Sequence, residues 1–98
     1  MAVKLNIKLL GVFKGISGKN QLYLEFEKDD VSVQKTIQRL IKLFSPEFKR
    51  VLIDPELDSP SPNAIILVNG KEIGLLCGVK TKVEDGDEIV LIPVSHGG

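Results

Sequence analysis

The hydrophobic period of this chain switches from two to 3.6 and back again, and that switch constrains the fold more than any motif does. Val3, Leu5, Ile7 and Leu9 alternate with Lys4, Asn6 and Lys8, and later Leu22, Leu24 and Phe26 alternate with Tyr23, Glu25 and Glu27. Alternation of this kind buries one face of a strand and wets the other. From Val33 the apolar positions instead fall at Val33, Ile37, Leu40, Ile41 and Phe44, one stripe of an α-helix, with Gln34, Lys35, Gln38, Arg39 and Lys42 opposite. Asp29, Asp30 and Ser32 offer acceptors for the free N–H groups of its first turn, and Ser45-Pro46 stops it. A chain of 98 residues has room for one core, so this helix must cover the sheet that the strands make.

The remaining segments complete the element order. Gly11 to Asn20 holds three glycines and a polar end, which predicts a turn closing an N-terminal hairpin. Phe48, Val51, Leu52 and Ile53 fit either a helical turn or an irregular strand. Asp54 to Asn63, with Pro55, Pro60 and Pro62, reads as an exposed loop. Ala64 to Val68 is an apolar strand, and Asn69-Gly70 supplies the two positive-φ positions of a tight hairpin before Lys71-Glu72-Ile73. Leu75 to Val79 is a glycine-broken crossing, Asp85-Gly86 a turn, and Glu88 to Pro93 a last short strand. One main helix for four or five strands predicts an α+β fold with a mixed sheet and the helix packed on one face. The first and last strands are apolar enough to lie side by side in its middle. This is the β-grasp, ubiquitin-like arrangement, with a folded domain over residues 1–93 and a flexible diglycine tail over 94–98.

Composition removes several classes of function. Thirteen Lys and Arg balance thirteen Asp and Glu, so there is no basic excess of the kind that marks direct nucleic-acid binding. The balance conceals a split of +5 over residues 1–50 and −5 over 51–98, which solvated faces or docking on a basic partner would both explain. One cysteine and one histidine supply neither an internal disulfide nor a self-contained zinc site. No apolar run reaches the ~20 residues of a membrane span, and the start lacks a signal peptide, so a cytoplasmic protein without membrane contact is expected. Nothing in the body reads as catalytic: Asp85 and Asp87 fit turn chemistry, and Cys77, among Leu75, Leu76 and Val79, reads as a small buried hydrophobe. The chain is not expected to be an enzyme.

The unusual feature is the end. The apolar strand Glu88-Ile89-Val90-Leu91-Ile92-Pro93 runs directly into Val94-Ser95-His96-Gly97-Gly98. Glycine-ended termini are common in themselves, but Gly97-Gly98 after a β-grasp order can thread a channel too narrow for a Cβ. The hairpin Ile66-Leu67-Val68-Asn69-Gly70-Lys71, the approach Glu84-Asp85-Gly86-Asp87-Glu88-Ile89, and Pro93 followed by Gly97-Gly98 together resemble the ubiquitin-like sulfur carriers. That group includes the small subunit of molybdopterin synthase, the thiamine-pathway carrier and the ubiquitin-related modifier of tRNA thiolation. Pro93 resembles the molybdopterin-synthase subunit, whereas Ser95-His96-Gly97-Gly98 is similar to the ending of the tRNA-thiolation modifier.

The resemblance implies a mechanism in which partners supply the catalysis. A separate adenylating enzyme, using ATP and Mg²⁺, would activate the Gly98 carboxylate for conversion to a thiocarboxylate, with no cofactor bound by this chain itself. The first expectation is sulfur donation to the large subunit of molybdopterin synthase for molybdenum cofactor biosynthesis. The alternative is sulfur donation to a tRNA-thiolation enzyme, capture of activated Gly98 by lysines of target proteins, or both. Ser95, His96 and Gly97 would contact partners, as would Ile92 and Val94, which bracket Pro93. For Ile92 a place in an exposed docking patch and a place in the core beneath the helix are equally compatible with the sequence.

Overall fold

Buried and open positions alternate strictly along Val3–Leu9, where Leu5, Ile7 and Leu9 are wholly inaccessible to solvent. The computed structural model describes residues 2–94. In chain order its elements are β1 (Val3–Leu9), α1 (Gly11–Ser17), β2 (Gln21–Phe26), β3 (Val31–Ser32), α2 (Val33–Leu43), α3 (Pro46–Leu52), β4 (Ala64–Val68), β5 (Lys71–Glu72), β6 (Lys82–Val83) and β7 (Glu88–Pro93). Two single turns of 3₁₀ helix, Ile73–Leu75 and Gly78–Lys80, lie between β5 and β6.

The main sheet runs β2-β1-β7-β4-β5, and β3 pairs with β6 in a separate two-stranded ribbon. β1 is antiparallel to β2 and parallel to β7, with Ile7 opposite Ile89 and Leu9 opposite Leu91. β7 is antiparallel to β4, from Val68 opposite Ile89 to Ala64 opposite Pro93. First and last strands therefore do sit together in the middle, and the fold is the ubiquitin-like β-grasp with a mixed five-stranded sheet. Asn69 and Gly70 both take positive φ, 51° and 85°, at the β4–β5 hairpin, as these residue types predict.

α2 buries Val33, Ile37 and Leu40 on the sheet, with Ile41 and Phe44 packed at the margin. Its cap is Ser32, whose Oγ accepts the Lys35 N–H at 3.2 Å. Asp29 and Asp30 do not serve as caps; the Asp30 carboxylate instead faces the ammonium groups of Lys35 and Lys82 at 3.4 and 3.9 Å. α2 stops at Leu43, with Phe44 and Ser45 extended ahead of Pro46 as predicted, and Pro46 itself occupies the first turn of α3, where its missing donor is harmless. That settles the segment holding Phe48 and Leu52 as a helix.

The connection after β1 differs from the turn predicted for it. Gly11 to Ser17 is helical, and Gly18, at φ 74°, closes it with its N–H donating to the Lys14 carbonyl at 2.9 Å. The helix is worth forming because Phe13 is fully buried with its ring 5.7 Å from that of Phe48. Gly15 in its middle weakens the helical signal and hides it from periodicity. The loop from Asp54 to Asn63 is likewise less open than predicted, since Pro60 is buried and Asp54 Oδ1 accepts the N–H groups of Glu56 and Leu57 at 2.9 Å each.

Candidate functional site

β7 carries the chain out of the middle of the sheet at the end where β1 leaves for α1 and β4 begins. Three contacts hold that exit. The Leu10 N–H donates to the Leu91 carbonyl at 3.2 Å, and the Val94 N–H donates to the Asn63 carbonyl at 3.0 Å. Gly11, at φ 53°, lies so close to Pro93 that a Cβ placed on it would stand 2.7 Å from the proline Cγ. Pro93 therefore does not release the chain: the ladder continues one residue beyond it, and Val94 belongs to the body and not to a free tail. Ser95, His96, Gly97 and Gly98 lie outside the described residues.

Alternation along β7 decides the question about Ile92. Ile89 and Leu91 are fully buried beneath the helices, so Val90 and Ile92 face the other side of the sheet, where both are half-buried. There Ile92 is opposite Ile65 and Val90 opposite Leu67 on β4. Leu10, in extended conformation one residue past Leu9, falls on the same face beside Ile92. Leu10 and Ile65 are 42% and 40% exposed, so the face opposite the helices has an apolar corner at the point where the tail leaves. Farther from the exit the face turns polar: Lys8 and Glu88 are joined at 3.1 Å, and the Lys4 ammonium lies 5.0 Å from the centre of the Tyr23 ring.

Ile92, expected near the exit from the sequence, shares this face with Leu10, Ile65, Val90 and Leu67, which the sequence did not single out. A signal was present: Leu10 occupies the outward slot of a strand whose earlier outward slots hold Lys4, Asn6 and Lys8. Ile65 and Leu67 were hidden in a continuous apolar run, which reads the same for one buried face as for two.

The two aspartates of the β6–β7 turn are structural, as predicted. Asp85 Oδ1 accepts the Lys4 N–H and Asp87 Oδ2 the Glu84 N–H, both at 2.8 Å, while Asp87 Oδ1 accepts from the Asn69 side-chain amide at 2.9 Å. Cys77 is a correction: it is exposed, not buried. It sits between the two 3₁₀ turns, where Ile73 and Val79 reach inward and Leu75 stays 83% exposed, so the apolar run crosses the surface instead of entering the core. Among the described residues no three His, Cys, Asp or Glu side chains gather to hold a metal ion, and no helix is long and apolar enough to cross a membrane.

A β-grasp domain that sends its final strand out of the sheet centre beside an apolar corner has the architecture of the ubiquitin-like proteins. A family model for the ubiquitin related modifier, Urm1, matches residues 4–98. The chain is 32% identical over 80 residues to a candidate sulfur carrier protein of Archaeoglobus fulgidus, covering 81% of this chain and 88% of that one. It is 26% identical over 96 residues to small archaeal modifier protein 3 of Haloferax volcanii, covering 98% and 100%. The solution structure of small archaeal modifier protein 1 from Methanosarcina acetivorans superposes with a TM-score of 0.80 at 27% identity, covering 100% and 99%. This chain belongs to the Urm1 family of ubiquitin-like sulfur carriers and modifiers, a family of carriers and not of catalysts. The match falls on the modifier branch, the alternative in the sequence reading, in preference to the molybdopterin-synthase subunit.

Proposed function

We propose that the Gly98 carboxylate is the reactive group and that this chain serves as a tRNA-thiolation sulfur carrier that also modifies proteins. A carboxylate is a poor electrophile because its leaving group would be oxide. A separate activating enzyme with ATP and Mg²⁺ turns it into an acyl adenylate, releasing pyrophosphate, so that AMP becomes the leaving group. The terminal sulfur of a cysteine persulfide on a partner displaces AMP and forms an acyl disulfide. A second thiol then attacks the cysteine-side sulfur, leaving a protein disulfide and the Gly98 thiocarboxylate. When a lysine amine attacks the adenylate instead, it displaces AMP, loses a proton and forms an isopeptide bond.

The observation that carries this reading is the match of residues 4–98 to the ubiquitin related modifier. The apolar corner supports it: Ile92, Ile65 and Leu10 offer a docking face where β7 ends, and Ser95, His96 and Gly97 are the segment a partner's channel would enclose. Transfer to the large subunit of molybdopterin synthase ranks second, on the resemblance of Pro93 alone. The test is to incubate the protein with its activating enzyme, ATP, Mg²⁺ and sulfide. Mass spectrometry is expected to show a gain of about 16 Da at Gly98, one oxygen replaced by sulfur. No gain, or full activity after deletion of Gly98, refutes the proposal; lysines elsewhere bearing a Gly-Gly remnant support its second arm.

A further inference from the structure

The helical side of the molecule holds a groove that the tail chemistry leaves idle. Its floor is Ile37 and Ile41 of α2, Ile53 just past α3, and Val79 of the second 3₁₀ turn, enclosing about 480 Å³. Ile41, Ile53 and Val79 are only half-buried, so this floor is apolar surface left open to water. Lys42 and Lys49 stand at its rim, and Arg50 lines an adjoining hollow that shares Lys49, Ile53 and Asp58. None of these three cations has an ion-pair partner among the described residues, whose pairs involve Lys8, Lys35 and Lys82. Asp58 is the single carboxylate in the lining of both hollows.

We infer that this groove docks an extended acidic segment of a partner protein, with apolar side chains on the floor and carboxylates among Lys42, Lys49 and Arg50. Within the lining three cations without ion-pair partners face one carboxylate, Asp58, and charge complementarity at that short range selects an acidic occupant. A further pair of lining residues selects a peptide main chain. Gln34 and Gln38, both exposed along the groove, each present an amide that donates and accepts. One helical step of four residues separates them by about 6 Å, close to the roughly 6.7 Å repeat of two extended residues. A nucleic-acid occupant is disfavoured, since stacking needs aromatic faces and the lining contains none. The groove lies on the helical layer, opposite the corner formed by Ile65 and Ile92, so both surfaces can be engaged at once. This inference is independent of what becomes of Gly98.

The test is a titration of isotope-labelled protein with a capped heptapeptide alternating Glu and Leu, followed by amide chemical shifts and by anisotropy of a labelled copy. Saturable shifts are expected at Gln34, Gln38, Ile41, Ile53 and Val79. The double variant K42E/K49E is expected to bind about tenfold more weakly, since two attractions become repulsions. About 1 M salt, where screening acts within ~3 Å, is expected to weaken binding too. Both lysines are exposed, and K42A/K49A with an unchanged melting curve serves as a second variant, expected to fall between the two. The inference is overturned by absence of saturable shifts, by shifts centred on the open sheet face, by equal binding of the Lys-for-Glu peptide or of K42E/K49E, or by tighter occupation of the groove by a single-stranded oligouridine.

Discussion

Substituting Gly11 by alanine tests the tail exit. Two costs add at this position. A left-handed backbone at φ 53° costs an alanine about 1–2 kcal/mol. The new methyl would also meet the Pro93 ring, whose Cγ and Cδ lie 2.7 and 3.4 Å from the ideal Cβ. A pyrrolidine ring in a paired strand has little room to yield, and overpacking of this kind costs about 1–3 kcal/mol. The sum is about 2–5 kcal/mol, and its middle value, about 3.5, lowers the melting temperature of a domain of this size by roughly 14–28 °C. Gly18 supplies the control: it is also left-handed, at φ 74°, but a Cβ there meets nothing within 4 Å, so Gly18→Ala costs only the backbone part. With no tryptophan in the chain, thermal and urea melts followed by far-UV circular dichroism are the suitable assay. The double variant Gly11→Ala/Pro93→Ala removes the clashing ring atoms and is expected to recover most of the difference between the two single glycine variants. Equal destabilisation by Gly11→Ala and Gly18→Ala, or no recovery in the double variant, refutes a tight seat for Pro93.

Asn69→Ala loses the bond from its Nδ2 to Asp87 and the bond that its Oδ1 accepts from the Glu88 N–H, both 2.9 Å, as well as a residue type suited to φ 51°; a loss of about 2–3 kcal/mol is expected in the same melts. Ile65→Glu places a charge in the apolar corner at a position already 40% exposed; stability is expected to change by less than about 1 kcal/mol, while the rate of thiocarboxylate formation with the activating enzyme falls severalfold in single-turnover assays. Cys77→Ser, at an exposed site, is expected to shift stability by under about 0.5 kcal/mol and to leave sulfur loading at Gly98 unchanged by mass spectrometry.

The central pairing of β1 with β7 was legible because both strands are apolar and the chain is too short to hide them elsewhere. The Asn69-Gly70 hairpin was legible because its backbone angles favour those residue types. Regular alternation and turn chemistry are local properties, and they survive in a string of letters. α1 was not legible, because its justification is the burial of Phe13 against Phe48, thirty-five positions away. Cys77 failed for the complementary reason: Leu75 and Leu76 look like core residues until the two 3₁₀ turns carry them across the surface. The apolar corner was half legible. Ile92 could be named from its nearness to the tail, but its direction needed the register with Ile65, and its companions Leu10 and Leu67 come from strands on either side of β7.

β7 is flanked on both sides, by β1 and by β4, and this has a mechanical meaning. Tension arriving through Val94, as from a tethered cargo drawn into an unfolding motor, enters an interior strand and loads both neighbouring ladders together; it cannot peel away a rim. Pulling with optical tweezers from residue 94 against residue 2 shears the parallel β1–β7 seam, and rupture is expected at higher force than when the same domain is pulled through the rim strand β2.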